Sequence, residues 1–97
     1  CVYAHNDDGA HGAYLAAKAA GREKQMLFVG IDALPQEGIA YVKQGILDAT
    51  FQYPTGGAEA IDVAEKILHG QVVPREITLG TRLFTRDNVA QGGVALP

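Results

Sequence analysis

The chain has 97 residues, of which 47% are hydrophobic and 20% are charged, and its formal net charge is −3 at pH 7. These proportions are typical of a globular protein, and the length allows at most one small domain. The longest apolar runs fall far short of the ~20 residues that a membrane-spanning helix needs, so no transmembrane segment is predicted. The lysines and arginines form no basic stripe, which argues against a nucleic-acid partner. The single cysteine, Cys1, excludes a disulfide within one chain.

The first part of the chain predicts a strand that leads into a helix. Residues 1–4 are apolar and β-prone, and the polar run His-Asn-Asp-Asp that follows them is of the kind that ends strands and caps helices. We expect Asp7 or Asp8 to be the N-cap residue. Small apolar residues then recur at helical spacing over 10–20, and Gly21 is placed to adopt the left-handed conformation that ends many helices.

The middle of the chain repeats this strand-helix order. The continuous apolar run 26–31 predicts a second strand that is buried on both faces. Pro35 suits the first turn of a second helix, whose apolar residues recur at intervals of three and four and which Gly45 ends. Residues 47–53 alternate between apolar and polar side chains, and Pro54 stops this third strand.

The last part of the chain predicts a third helix and one extended segment. The helix has the clearest apolar stripe in the sequence, formed by Ala60, Ile61, Ala64, Ile67 and Leu68. Gly70 closes it, and alternating residues after Pro74 predict an extended segment at 77–81. Residues 91–93 have no periodicity, and no element is predicted there. The resulting order, βαβαβαβ, predicts an α/β fold in which helices connect parallel strands by right-handed crossovers.

Polar and aromatic residues follow the predicted strands at the points where they end. Open parallel sheets bind ligands beyond the carboxyl ends of their strands, and the residues found there are His5, Asn6, Asp32, Gln52 and Tyr53. Amide and carboxylate groups can pair with several hydroxyls, and an aromatic ring can cover the apolar face of a sugar. The alternative roles are structural, with Asn6 as a cap and Asp32 in a turn. No serine or cysteine nucleophile beside a histidine and an acid is present to favour acyl transfer.

The segment 5–11 also contains residue types that bind metals, namely His5, Asp7, Asp8 and His11. Metal ligands must converge on one point, whereas strand alternation sends His5 and its neighbour to opposite faces and the helix carries His11 away. We therefore expect these side chains to be caps or solvated groups, and we predict no metal site.

The strand-end motifs lie within two longer segments, VYAHNDDGAHGAYLAAKAAGR and MLFVGIDALPQEGIAYVKQGILDATFQYPTGGAEAI. In order, the motifs are an N-D pair that ends one strand, a G-x-D that ends the next, and an A-T strand. These segments cover nearly the whole chain and resemble the C-terminal part of the sugar-binding periplasmic proteins of ABC importers, in particular the ribose-binding-protein-like group of type I periplasmic binding proteins. The resemblance implies an α/β lobe of three layers around a parallel sheet, incomplete in this chain.

The resemblance also implies which residues bind the ligand. In that family the asparagine of the N-D pair and the aspartate of G-x-D hydrogen-bond sugar hydroxyls, and here these residues are Asn6 and Asp32. A hinge glutamine near the end of the A-T strand also contacts the sugar. Because the chain between Thr50 and Pro54 is one residue shorter than in the ribose type, this role could fall to Gln52 or Tyr53, and the amide chemistry favours Gln52. Ile31 stands where ribose binders often have an aromatic residue, which argues against ribose itself. The family implies binding without catalysis and without a cofactor.

The resemblance further implies that the chain is one piece of a two-lobed protein. Residues 1–97 would form most of the C-terminal lobe, with a hinge near 52–54 and a helix at 57–69 that packs on the N-terminal lobe. The N-terminal lobe and the first two strands of the C-terminal lobe would lie outside the chain, so we expect association with the missing lobe or self-association. The implied ligand is a sugar or polyol, the implied partner is the membrane permease of the importer, and the implied location is the periplasm.

Two alternatives stay open from the sequence. The effector domain of a sugar-responsive transcriptional repressor shares the fold and the N-D and G-x-D motifs, although residues 77–93 look more like the transporter group. A magnesium-dependent phosphoacceptor domain would use the clustered carboxylates Asp7, Asp8 and Asp32. That domain would also need a lysine at the end of a later strand, and no lysine follows Lys66.

Overall fold

A computed structural model describes all 97 residues as a mixed five-stranded sheet with helices packed against it. In spatial order the strands are β1 (Val2–Tyr3), β2 (Phe28–Asp32), β3 (Ala49–Gln52), β4 (Thr81–Thr85) and β5 (Val94–Leu96). The α-helices are α1 (Asp7–Ala19), α2 (Gly38–Lys43) and α3 (Gly57–Leu68), and short 3-10 turns occur at Glu23–Gln25 and Val89–Gln91. None of the helices combines the length and apolar character needed to cross a membrane.

The predicted α/β class is confirmed, and its parallel part comprises β1, β2 and β3. β1 pairs with β2 and β2 with β3 in parallel register, and α1 and α2 supply the two crossover connections. Gly21, Gly45 and Gly70 follow the three helices with positive φ angles, as their positions in the sequence predict. The second helix is shorter than predicted, because residues 35–37 form a turn and α2 begins at Gly38.

The far side of the sheet differs from the prediction. The predicted extended segment 77–81 is misplaced, because the strand β4 begins only at Thr81. β4 runs antiparallel to β3, so the fourth strand is not reached by a parallel crossover, and β5 is an additional antiparallel strand in a region where no element was predicted. Two left-handed residues, Gly92 and Gly93, reverse the chain before β5, and the Arg82 guanidinium donates hydrogen bonds to both of their carbonyls. A strand of three residues has too few positions to show a periodic pattern, which explains why the sequence did not reveal it.

The N-terminus of α1 also corrects the sequence analysis, which expected Asp7 or Asp8 to be the N-cap. The N-cap is Asn6, whose backbone is extended and whose Oδ1 accepts a hydrogen bond from the Gly9 N–H at 2.7 Å. A capping residue must precede the first helical turn and keep its side chain over the free N–H groups. Asp7 is already helical and its side chain is buried, so it cannot fill this role.

The core lies where α1 and α2 pack against the central strands. It contains eight buried apolar residues: Ala10, Ala17, Phe28, Ala33, Val42, Leu47, Phe84 and Val89. Only 12 of the 97 residues are buried, so this core is small for the length of the chain. The reason is that almost a third of the chain, residues 54–80, contributes nothing to it.

Residues 54–80, which we call the α3 arm, extend away from the sheet. No residue of α3 is buried, and α3 has no extensive contact with any other helix or strand. The molecule is correspondingly elongated, with principal extents of 60 × 25 × 21 Å. The predicted apolar stripe is present but faces solvent, with Ile61 72% exposed and Leu68 86% exposed. Within the arm, Val63 and the segment 74–79 line a shallow groove.

Candidate functional site

The carboxyl ends of β1, β2 and β3 surround an open cavity of about 390 Å³. Its lining consists of Tyr3 and His5 from the end of β1, Ile31 and Asp32 from the end of β2, and Tyr53 just after β3. Three strands that are distant in sequence therefore bring a carboxylate, an imidazole and two phenol rings to one place. This edge of the sheet is where a parallel arrangement is expected to bind a ligand.

The aromatic side chains stand at the mouth of the cavity. Tyr3 ends β1 and His5 lies in the bend that follows it, and their ring centroids are 5.7 Å apart. Tyr3 is 60% exposed and Tyr53 is 66% exposed, so both rings are available to a ligand. The sequence analysis did not select Tyr3. Its alternation with His5 was the signal that could have found it.

Asp32 is the carboxylate of the cavity, and its backbone is unusual. It is the last residue of β2, lies in register with Gln52 of β3, and has a φ angle of 115°. The next residue, Ala33, has a φ angle of 54°. Residues other than glycine rarely occupy this region of backbone conformation, and they persist there only where the surroundings hold them. The turn after β2 thus gives Asp32 a defined position at the cavity.

Of the four residues that the resemblance assigned to ligand binding, two line the cavity and two do not. Asp32 and Tyr53 line it, whereas Asn6 and Gln52 lie outside the lining. The Asn6 oxygen is used to cap α1, and its amide nitrogen has no partner within the chain. The Gln52 side chain is exposed, and its backbone carbonyl accepts a hydrogen bond from the Thr81 hydroxyl. The binding roles of all four residues remain predictions.

Asp7, which the sequence analysis grouped with caps and metal-ligand types, is instead a buried carboxylate behind the cavity. It is 1% exposed, and its two oxygens accept hydrogen bonds from the Ala33 N–H at 2.8 Å and from the Thr50 hydroxyl at 2.6 Å. Burial raises the pKa of Asp7, the two hydrogen bonds oppose this, and the nearby carboxylates of Asp32 and Glu37 raise the pKa further. No local pattern in the sequence indicated these contacts.

The residues of metal-binding type in the first helix do not converge. No group of three or more histidine, cysteine, aspartate or glutamate side chains is arranged to hold a metal ion. His11 instead stacks on Tyr41 of α2, with the ring centroids 4.4 Å apart. The chemistry available at the cavity is hydrogen bonding through Asp32 and His5, together with contact between aromatic rings and the apolar faces of a ligand.

The chain is similar in sequence and in fold to proteins that bind sugars. No protein-family model matches the chain. The ribose import binding protein RbsB of Salmonella typhimurium is 39% identical over 88 residues, which are 89% of this chain and 29% of that protein. A solved fructose-binding periplasmic domain of a hybrid two-component system is 49% identical with a TM-score of 0.87, covering 94% of this chain and 31% of that one. The chain is a homologue of the periplasmic sugar-binding proteins.

A third relative extends the similarity to proteins that bind polyols. An ABC transporter solute-binding protein of Bacillus halodurans, solved with bound myo-inositol, is 33% identical with a TM-score of 0.80, covering 94% of this chain and 32% of that one. The chain spans about 30% of the length of the curated relatives that it matches. The family resemblance inferred from the N-D and G-x-D motifs is thereby confirmed. The partial coverage is consistent with an incomplete lobe.

Proposed function

We propose that this homologue is part of a solute-binding protein that holds a sugar or polyol at the carboxyl ends of β1, β2 and β3 without converting it chemically. The observation that carries the proposal is the cavity itself, in which a carboxylate stands among exposed aromatic rings at a parallel sheet edge. Sugars present hydroxyls around an apolar ring face, and this combination of groups complements both. The homologues are binding proteins that carry ribose, fructose or myo-inositol in their names.

Each predicted site residue has a distinct role in this proposal. The Asp32 carboxylate accepts hydrogen bonds from one or two hydroxyls, and such bonds to a charged group contribute about 1.5–3 kcal/mol each. The free amide nitrogen of Asn6 donates to a neighbouring hydroxyl while its oxygen continues to cap α1. The Tyr53 ring covers a sugar face, and its position in the cavity lining supports this role. Gln52 supplies a further hydrogen bond from the adjacent strand end.

The cavity is open, and we propose that a second lobe of the whole protein closes it. The family arrangement places the ligand between two lobes that move about a hinge, here near 52–54, and enclosure of the ligand strengthens binding. The exposed apolar stripe of α3 supports this proposal, because Ile61 and Leu68 would be covered by the N-terminal lobe. Without that lobe, we expect the same stripe to mediate self-association.

The closed, ligand-bound protein would then act in the periplasm by delivering its ligand to the membrane permease of an ABC importer. The names of the ribose and myo-inositol relatives support this step. A second candidate is a periplasmic sensor, which the 49% identity to a domain of a hybrid two-component system favours. The two candidates share the binding step and differ only in the membrane protein that recognises the closed form.

The binding step is tested by calorimetric titration of the whole protein with fructose, ribose and myo-inositol. We expect saturable binding of at least one of these ligands and a loss of about tenfold or more in affinity for Asp32→Asn. Asp87→Asn is the matched control, because it removes an exposed carboxylate at a distant turn. The proposal is contradicted if none of the three ligands binds, or if Asp32→Asn and Asp87→Asn bind alike. Stimulation of permease ATPase activity or of kinase autophosphorylation by the liganded protein then separates carrier from sensor.

A further inference from the structure

The buried carboxylate of Asp7 connects all three parallel strands. Asp7 follows β1 as the first residue of α1, its Oδ2 accepts the Ala33 N–H just after β2, and its Oδ1 accepts the Thr50 hydroxyl within β3. Asp7, Ala33 and Thr50 are all buried, so water does not compete for either hydrogen bond. This carboxylate lies behind the cavity and does not line it.

One of these hydrogen bonds ends on the strained turn that carries the cavity carboxylate. Asp32 and Ala33 both have φ angles in the left-handed range, at 115° and 54°. An isolated chain would leave this conformation, because side chains with a Cβ disfavour it. The Ala33 N–H bond to Asp7 is the hydrogen bond that ties this turn to the core.

Two neighbouring positions lack a side chain and so leave room for the Asp7 carboxylate. A Cβ atom at Gly30 or at Gly38 would overlap the carboxylate, so only glycine fits at either position with Asp7 in place. Gly30 lies inside β2, and glycine in a strand interior lowers the stability of the strand. Two glycines and a buried ionisable group are therefore combined at one point, behind Asp32.

We propose that Asp7 is a positioning residue, whose carboxylate clamps the turn at Ala33 and thereby holds Asp32 in the geometry that binds a ligand hydroxyl. This inference deepens the proposed function and rests on it for the identity of the ligand. It assigns Asp7 no contact with the ligand. The contribution of Asp7 to affinity passes entirely through the backbone of the turn.

The test uses four variants of the whole protein. Asp7→Ala removes both hydrogen bonds, and Thr50→Val is the matched control, because it removes the other bond of the same buried carboxylate and leaves the Ala33 bond intact. Asp7→Asn is the conservative variant, since its amide oxygen can still accept from Ala33 while its amide nitrogen donates to Thr50. The double variant Asp7→Ala/Ala33→Gly places glycine where the turn needs a positive φ, and it keeps the test possible if Asp7→Ala alone does not fold.

Two readouts are measured on the folded variants, namely affinity for the sugar that binds the wild type and hydrogen exchange of the Ala33 amide. We expect Asp7→Ala to lose about tenfold in affinity and the protection of that amide. Asp7→Asn and Thr50→Val should stay within about threefold of the wild type in affinity, and the double variant should recover part of the loss.

The positioning role of Asp7 is overturned if Thr50→Val and Asp7→Ala weaken binding equally, or if the Ala33 amide stays protected from exchange in Asp7→Ala. A purely structural Asp7 would give the first of these results, because both variants disturb the same buried network. A wild-type protein that binds no sugar, with Ala33 exchange that still depends on Asp7, overturns the proposed function and the binding role of Asp7 while leaving the turn contact in place. The two failures are therefore distinguishable.

Discussion

An amphipathic helix must cover its apolar face, and two regions of this molecule differ in how they do so. One region is the sheet with α1 and α2, and the other is the α3 arm. Both have amphipathic helices, yet α1 and α2 cover the sheet and enclose the buried core, whereas every residue of α3 remains accessible. A helix with an apolar stripe as clear as that of α3 is normally stabilised by packing this stripe against another surface. The difference indicates that the sheet region carries most of the internal packing of the chain, and it supports the proposal that another surface covers the arm.

The largest expected effect is that of truncating a leucine in the sheet region, and a leucine of the arm is its comparison. Leu47 is fully buried, so Leu47→Ala should lower the free energy of unfolding by about 2–5 kcal/mol. Leu68 is 86% exposed, and Leu68→Ala in the 97-residue chain should change this free energy by less than about 0.5 kcal/mol. Urea denaturation measures both. A large effect of Leu68→Ala in a monomeric chain would contradict the division into two regions.

The next effect concerns two glycines of the sheet region. Gly30→Ala should lower the free energy of unfolding by about 1–3 kcal/mol, because the new methyl group would overlap the Asp7 carboxylate. Gly12 lies inside α1 with nothing near its Cβ position, so Gly12→Ala should instead stabilise the chain by about 0.5–1 kcal/mol. Thermal denaturation of the two variants compares them directly. Equal effects would show that the surroundings of Asp7 are less tightly packed than described.

A smaller effect follows from the titration of Asp7. Because burial raises its pKa in the folded state, the folded chain favours the protonated form, and this stabilising contribution is lost as the pH rises from about 3.8 through the raised pKa. Asp7→Asn does not titrate. Its free energy of unfolding relative to the wild type should therefore increase as the pH rises above about 3.8. Denaturant titrations across this range test the sign, and a difference that is constant or falls would contradict it.

The smallest expected effect is on self-association through the surface of the arm. If the stripe of α3 mediates self-association of the 97-residue chain, Ile61→Glu should shift the light-scattering mass toward that of one chain. Glu59→Gln, on the same helix but outside the stripe, is the control and should leave the mass unchanged. A wild-type chain that is already a monomer would argue against self-association through the apolar stripe of α3.

The sequence predicted the local features of the fold and missed those that depend on distant contacts. Three strand-helix units and the left-handed glycines at 21, 45 and 70 are set by neighbouring residues, so periodicity and turn chemistry reveal them. The antiparallel direction of β4 and the short strand β5 depend on how the chain returns after the arm. No local pattern encodes that return.

The site divides in the same way. Asp32 could be found from the end of an apolar strand, and Tyr53 from the residues before Pro54, because both lie next to recognisable signals. Asp7 could not, since its partner Thr50 lies 43 residues away in sequence. An aspartate beside a helix start is usually a cap or a first-turn charge, and only the fold makes this one a buried acceptor.

The most direct test of the central claim is a crystal structure of the whole protein with the sugar or polyol that it binds most tightly. The account predicts a ligand at the ends of β1, β2 and β3, with a hydroxyl within hydrogen-bond distance of the Asp32 carboxylate and the Tyr53 ring against the ligand. A ligand bound elsewhere, with the cavity at Asp32 left unused, would contradict it.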